Sequence, residues 1–173
     1  GREEAWSTNY DLWEVPTDGS AAPKRITTNP AWDATPRFSP DGKTLAFLTR
    51  DGKLPRTGAD SIAIIPRAGG AVTRLTPVDL NPGTILWSSD GASILFTATV
   101  GVEGRLYSVT TKGGAPRVLM SGAQAVSSPM LAARAPSLVY LRQDPRSPSD
   151  VYLQNVDAAS LPAAPSSARR LTT

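Results

Sequence analysis

The chain has 173 residues, with 18 Lys and Arg against 15 Asp and Glu, and it contains neither cysteine nor histidine. The lack of cysteine excludes disulfide bonds and thiolate metal sites, and the lack of histidine excludes a Ser-His-Asp triad within this sequence. The net charge of +3 is spread along the chain, which does not favour a nucleic-acid partner. No apolar run approaches the roughly 18 residues of a membrane span.

The chain begins with a polar stretch, residues 1–9, which is typical of a loop between two strands of a sheet. Residues 11–15 (Asp-Leu-Trp-Glu-Val) then predict a strand, residues 17–20 a turn and residues 24–28 a second strand. Lys24 and Arg25 would protect that outer strand from pairing with other sheets.

The next segment, residues 38–49, reads Phe-Ser-Pro-Asp-Gly-Lys-Thr-Leu-Ala-Phe-Leu-Thr. Pro40 presets φ for a turn, Asp41 can bond its own backbone, and Gly42 tolerates positive φ, so a hairpin is predicted. The six residues after Lys43 carry no charge, which predicts a strand covered on both faces.

This unit recurs along the chain, beginning at residues 38, 87 and 131. A second strand pair alternates with it, and its closing strand reads Arg-Ile-Thr at 25–27, Arg-Leu-Thr at 74–76, Arg-Val-Leu at 117–119 and Arg-Leu-Thr at 170–172. Four short strands in a period of about 44 to 50 residues indicate a β-propeller blade.

The predicted fold class is therefore all-β, a partial β-propeller of about three and a half four-stranded antiparallel blades. The whole of residues 1–173 is interpreted as one propeller fragment, divided into a half blade at 1–28 and blades at 29–76, 77–120 and 121–173. Closed propellers typically have about four to eight blades, so we expect truncation of a larger ring, with open blade faces that self-associate or pair with the missing blades.

The repeats at residues 11–19 and 38–47, followed by Arg-Ile-Thr, resemble two groups of propellers. One belongs to the prolyl oligopeptidase family of serine peptidases, especially its dipeptidyl-peptidase and acylaminoacyl-peptidase branch, and the other is the periplasmic propeller protein of the Tol-Pal system. The order of the segments at 32–38, 106–117, 140–152 and 170–172 is similar to the closing blades of the peptidase propeller.

The resemblance implies a non-catalytic propeller that gates access of peptides to an α/β-hydrolase domain, expected downstream and absent from this chain. Its implied partners are that hydrolase domain and a peptide substrate. The alternative is a Tol-type or WD-like scaffold for protein–protein binding. No catalytic, cofactor-binding or metal-binding residue is carried over, because no Gly-x-Ser-x-Gly motif is present and Ser93, the nearest miss, has Leu95 in place of the second glycine.

Several side chains are candidates for a role in binding. Glu3 and Glu4 invite comparison with the glutamate pair of dipeptidyl peptidases, but a solvated loop is preferred. Trp32 and Phe38 are predicted to pack between blades. Four aspartates are interpreted as turn residues rather than metal ligands: Asp33, Asp41, Asp90 and Asp150. Five basic residues are predicted to lie on loops after second strands: Arg50, Lys53, Arg56, Arg142 and Arg146. These basic loops are candidates to face a substrate entrance or a partner subunit, with exposed solubilising loops as the alternative.

Overall fold

The computed structural model describes residues 9–30, 32–50, 60–77, 79–122, 124–132, 135, 137–155 and 168–172. These residues form fourteen strands, which are β1 (Trp13–Glu14), β2 (Lys24–Arg25), β3 (Trp32–Phe38), β4 (Thr44–Arg50), β5 (Asp60–Pro66), β6 (Thr73–Arg74), β7 (Pro82–Trp87), β8 (Ser93–Val100), β9 (Glu103–Thr110), β10 (Arg117–Met120), β11 (Ala125–Leu131), β12 (Ser137–Asp144), β13 (Ser147–Asn155) and β14 (Arg169–Arg170). The described residues include no helix, and hence none long and apolar enough to cross a membrane.

The strands form one two-stranded sheet, β1–β2, and three four-stranded sheets, β3–β6, β7–β10 and β11–β14. Within each sheet consecutive strands are neighbours and every pairing is antiparallel. We call these sheets blades 1 to 4. The predicted all-β fold with antiparallel blades is confirmed, and the stack of blades does not close into a ring.

The hairpin that joins the first two strands of blade 2 is built by local side-chain bonds. Asp41 Oδ1 accepts hydrogen bonds from Ser39 Oγ at 2.6 Å and from the Lys43 N–H at 3.0 Å. Gly42 has a φ of 69°, a conformation that glycine adopts at little cost. The same bonds recur around Asp90 in blade 3, so the turn predicted from the sequence is confirmed in both blades.

The recurring threonine of the Arg-Leu-Thr motif lies two residues after the outermost strand. In blade 2, Thr76 Oγ1 accepts a hydrogen bond from the Ile62 N–H at 2.8 Å, next to the backbone bond from the Leu75 N–H to the Ile62 carbonyl. Equivalent bonds join Thr27 to the Leu12 N–H and Thr172 to the Val151 N–H. The side-chain hydroxyl thus replaces one backbone carbonyl in the ladder.

Each innermost strand contains a β-bulge. The register shifts between Ala34 and Arg37 in β3, between Pro82 and Ile85 in β7 and between Ser127 and Met130 in β11. Thr35 and Ser128 have φ values of 55° and 48°, which are uncommon for residues other than glycine. A bulge bends its strand and increases the local twist.

The apolar cores lie between consecutive blades, and alternate residues of one strand serve two of them. On β8, Ile94 and Phe96 face blade 2 whereas Leu95 faces blade 4. β4 is buried from Leu45 to Thr49, which confirms the prediction of a strand covered on both faces. The core between blades 1 and 2 contains Leu12, Ile26, Leu45, Phe47, Ala63 and Ile65.

The two aromatic residues predicted to pack between blades differ in their surroundings. Trp32 is half-buried and packs against the core between blades 2 and 3, as predicted. Phe38 is 49% exposed, so its prediction was wrong. It is the last residue of β3, and the guanidinium of Arg67 lies 5.4 Å from its ring centroid.

Candidate functional site

The basic residues that were predicted to follow second strands identify one end of the blades. At this end of each blade the second strand ends and the third strand begins. Four arginines lie there, namely Arg50, Arg105, Arg142 and Arg146, and we call this end of the blades the arginine end. Arg146 lies in a turn, but Arg50 is the last residue of β4 and Arg142 lies within β12, so the loop prediction was wrong for both. Lys53 and Arg56, and also Glu3 and Glu4, lie outside the described residues.

Two of these arginines are held by carboxylates of their own blade. Arg50 Nε donates to Asp60 Oδ1 at 2.8 Å, and its guanidinium lies 4.7 Å from the ring centroid of Trp32. Arg105 Nη2 lies 2.8 Å from Glu103 Oε2, and this hydrogen bond raises the pKa of Arg105. The Arg50–Asp60 pair joins the second strand of blade 2 to the third, whereas Arg105 and Glu103 lie on the same strand, β9. Both arginines therefore already have acidic partners.

Arg142 lines a shallow cleft at the arginine end of blade 4. Its guanidinium lies 5.0 Å from the ring centroid of Tyr152. The cleft has a volume of about 580 Å³ and is lined by Ser121, Gly122, Gln124, Arg142, Asp144, Pro145 and Arg146. Asp144 accepts a hydrogen bond from the Arg146 N–H at 2.8 Å, which fixes the turn. The cleft is therefore lined by the guanidinium groups of Arg142 and Arg146 and by the carboxylate of Asp144, which holds the turn.

No covalent catalysis of the serine-triad type can be built from this sequence. It has no histidine to act as the base. Ser93, the nearest miss to a nucleophile motif, begins β8, and its N–H donates to Ser88 Oγ at 2.9 Å. Ser93 thus closes a hairpin turn.

The four aspartates interpreted as turn residues fall into two classes. Asp41 and Asp90 do hold turns, and hydrogen bonds from Ser39 and Ser88 respectively lower their pKa values. Asp33 and Asp150 lie within β3 and β13, so for them the turn interpretation was wrong. No group of three or more His, Cys, Asp or Glu side chains placed to hold a metal occurs in the described part of the chain.

The two strand aspartates each bond a threonine. Asp150 Oδ1 accepts from Thr172 Oγ1 at 2.9 Å, and its Oδ2 lies 2.7 Å from Arg170 Nη2; these contacts lower its pKa. Asp33 is only 2% exposed and accepts from Thr49 Oγ1 at 2.6 Å. No local sequence pattern predicts this burial, because it arises where blade 1 covers the start of β3.

Two curated peptidases share sequence with this chain. The uncharacterized peptidase YuxL of Bacillus subtilis is 34% identical over 100 residues, which is 57% of this chain and 14% of the relative. Dipeptidyl-peptidase 5 of Porphyromonas gingivalis is 27% identical over 123 residues, 70% of this chain and 18% of the relative. The chain thus spans less than a fifth of the length of either relative.

Solved structures with the same fold include a putative TolB from Agrobacterium tumefaciens, with a TM-score of 0.69 and 19% identity over 94% of this chain and 56% of the other. A prolyl endopeptidase structure has a TM-score of 0.67 and 16% identity over 96% of this chain and 23% of the other. No family model matches the chain. The resemblance predicted from the repeats is confirmed: two sequence relatives are peptidases, and the chain has the fold of a β-propeller segment, which it shares with a prolyl endopeptidase structure.

Proposed function

We propose that this chain is the non-catalytic propeller part of a serine peptidase and that it restricts access to a hydrolase domain to peptides and short unfolded chains. The observation that carries the proposal is the 34% identity to a peptidase over 100 residues. The fold supports it, since blades placed around an axis leave a narrow channel that excludes folded proteins by size.

The chain's own residues fit a gate better than a catalyst. The cores between blades bury Phe47 and Phe96 completely, so the described blades form a rigid wall. The innermost strands β3, β7 and β11 would border the channel of a closed ring. With no histidine in the sequence, the nucleophile and base would come from the hydrolase domain.

Further blades would complete the ring at both ends of the described stack. In and beside β1, Leu12 and Glu14 contact blade 2. Trp13 and Val15 alternate with them, point the other way and remain 60% and 56% exposed. On β11, Met130 is 67% exposed. Apolar side chains of this size are normally covered by a neighbour, which here would be another blade or a second copy of the chain.

The proposal is tested on the purified full-length protein with a fluorophosphonate probe for activated serines, followed by identification of the labelled peptide. We expect labelling at a serine outside this 173-residue sequence, and hydrolysis of a short peptide but not of the same sequence inside a disulfide-closed folded domain. Failure to label any serine would overturn the peptidase assignment. Equal cleavage of the two substrates would overturn the gate.

A protein-binding scaffold is the second candidate, because the TolB structure has a TM-score of 0.69. It would show no labelled serine and no hydrolysis. The same two measurements therefore separate the two functions.

A further inference from the structure

Three buried oxygen atoms between blades 1 and 2 have no hydrogen-bond donor. They are Asp11 Oδ1, Asn29 Oδ1 and Asp33 Oδ2. Asp11 lies just before β1, Asn29 lies in the crossover from β2 to β3, and Asp33 is the second residue of β3. All three are oxygens that accept hydrogen bonds or bind hard cations, and none of them can donate when the carboxylates are ionised.

Several contacts place these residues together. The Asp33 N–H donates to the carbonyl of Tyr10 at 2.9 Å, which brings β3 beside the residue that precedes Asp11. Asn29 Nδ2 lies 3.4 Å from Asp33 Oδ1. Because Tyr10 directly precedes Asp11, these contacts bring Asp11 and Asn29 beside Asp33 at the boundary between blades 1 and 2.

The neighbouring groups leave one negative charge uncompensated. Asp11 Oδ2 pairs with Arg25 Nη2 at 2.6 Å, which balances one carboxylate. Asp33 is 2% exposed, and the bonds to its Oδ1 come from the neutral groups of Thr49 and Asn29. A buried carboxylate without a compensating charge is costly, so this arrangement calls for a bound cation or a proton.

We propose that Asp11 Oδ1, Asn29 Oδ1 and Asp33 Oδ2 are ligands of a calcium ion bound between blades 1 and 2. A single water molecule donates two hydrogen bonds, and a proton on Asp33 Oδ2 could be donated to Asp11 Oδ1, so either leaves one of the three oxygens without a partner, whereas a cation satisfies all three. Calcium accepts carboxylate and amide oxygens in irregular geometry and completes its shell of six to eight ligands with water, while magnesium demands a near-ideal octahedron.

With two carboxylates and one amide from the protein, the affinity falls in the weak class, with a Kd of about 10⁻⁴ to 10⁻³ M. The ion would join residues of blade 1 to blade 2 and would bind only the folded chain. Calcium at about ten times its Kd would then raise the Tm by about 3–6 °C. This inference concerns the assembly of the blades and does not depend on the proposed peptidase function.

The direct test uses terbium, a luminescent calcium mimic, with the purified protein. Tyr10 and Trp32 lie beside the proposed ligands, their ring centroids 6.4 Å apart, and can transfer excitation energy to the bound ion. We expect terbium luminescence that calcium displaces, and a Tm that rises with calcium but not with the same concentration of magnesium.

The variant D33N removes one ligand charge, and its matched control D90N makes the same change at the exposed turn of blade 3. D33N should weaken calcium binding by about tenfold or more, whereas D90N should bind as the parent does. N29A provides a second variant that keeps both carboxylates, in case D33N does not fold. A parent protein whose Tm and terbium luminescence do not respond to calcium would overturn the proposal, and so would calcium binding that survives unchanged in both D33N and N29A.

Discussion

The threonine that follows the outer strands of blades 1, 2 and 4 should contribute measurably to stability, and Thr76 offers the sharpest test. Thr76→Val keeps the shape of the side chain but removes the oxygen that accepts from the Ile62 N–H at 2.8 Å. Ile62 is fully buried and Thr76 is 6% exposed, so water cannot take the place of the hydroxyl. A buried N–H left without an acceptor costs about 1–3 kcal/mol. A loss of about 2 kcal/mol would lower the Tm by about 4–8 °C for a chain of this size.

The control variant is Thr73→Val, in the outer strand β6 of the same blade and three residues before Thr76. Thr73 is exposed, so this change should alter the free energy of unfolding by no more than about 0.5 kcal/mol. Equilibrium unfolding in urea measures both variants, and the dependence of the free energy on urea should stay the same because the surface exposed on unfolding is unchanged. Equal stability of the two variants would refute the role assigned to the hydroxyl.

Three further changes probe the core, a close contact and a turn. Phe96→Ala empties a fully buried site between blades 2 and 3 and should cost about 3–5 kcal/mol by urea unfolding; a cost near 1 kcal/mol would contradict that packing. Gly104→Ala would place a Cβ 2.9 Å from the carbonyl oxygen of Val126 in blade 4, so we expect a loss of about 1–3 kcal/mol, and an unchanged Tm would rule out this contact. The hydrogen bond from Ser88 holds the pKa of Asp90 below its ordinary value of 3.8, so its stabilising effect is complete above that value and is lost as the pH falls through the lower folded pKa. The stability of Asp90→Asn should therefore fall less steeply with acid than that of the parent, and parallel acid-unfolding curves would contradict this.

The features that the sequence could predict are those set by local chemistry. The turn around Asp41 needs only a few consecutive residues, because its carboxylate bonds the hydroxyl and N–H of its close neighbours. The uncharged strand after it had to be buried on both faces, since any exposed face would need polar residues at alternate positions. These local rules repeat, and their period was enough to predict blades.

The features that the sequence could not predict depend on contacts between distant segments. Phe38 looks like a core residue, but β3 ends there and little covers its ring. Arg50 and Arg142 look like loop residues, but strand pairing extends to include them. Asp33 looks like a turn residue until blade 1 is placed against it.

The outer strands show how one substitution in a repeat changes local structure. Blades 1, 2 and 4 carry threonine in the motif, and their outer strands are two residues long. Blade 3 has Leu119 at the equivalent position, and its outer strand continues to Met120, which pairs with Leu106. In blade 3, where no threonine hydroxyl is present, backbone pairing through Met120 holds the end of the outer strand to β9.

The brevity of these outer strands has a consequence for how the molecule meets other proteins. A rim of two to four paired residues per blade exposes few unpaired amides and carbonyls, so it offers a poor template for strand addition or fibril growth. Encounters with other chains should instead occur through side chains at the tips of the hairpins and at the arginine end. The outer strands therefore offer little surface for strand pairing, whereas side chains at the hairpin tips and at the arginine end can change without altering the sheets.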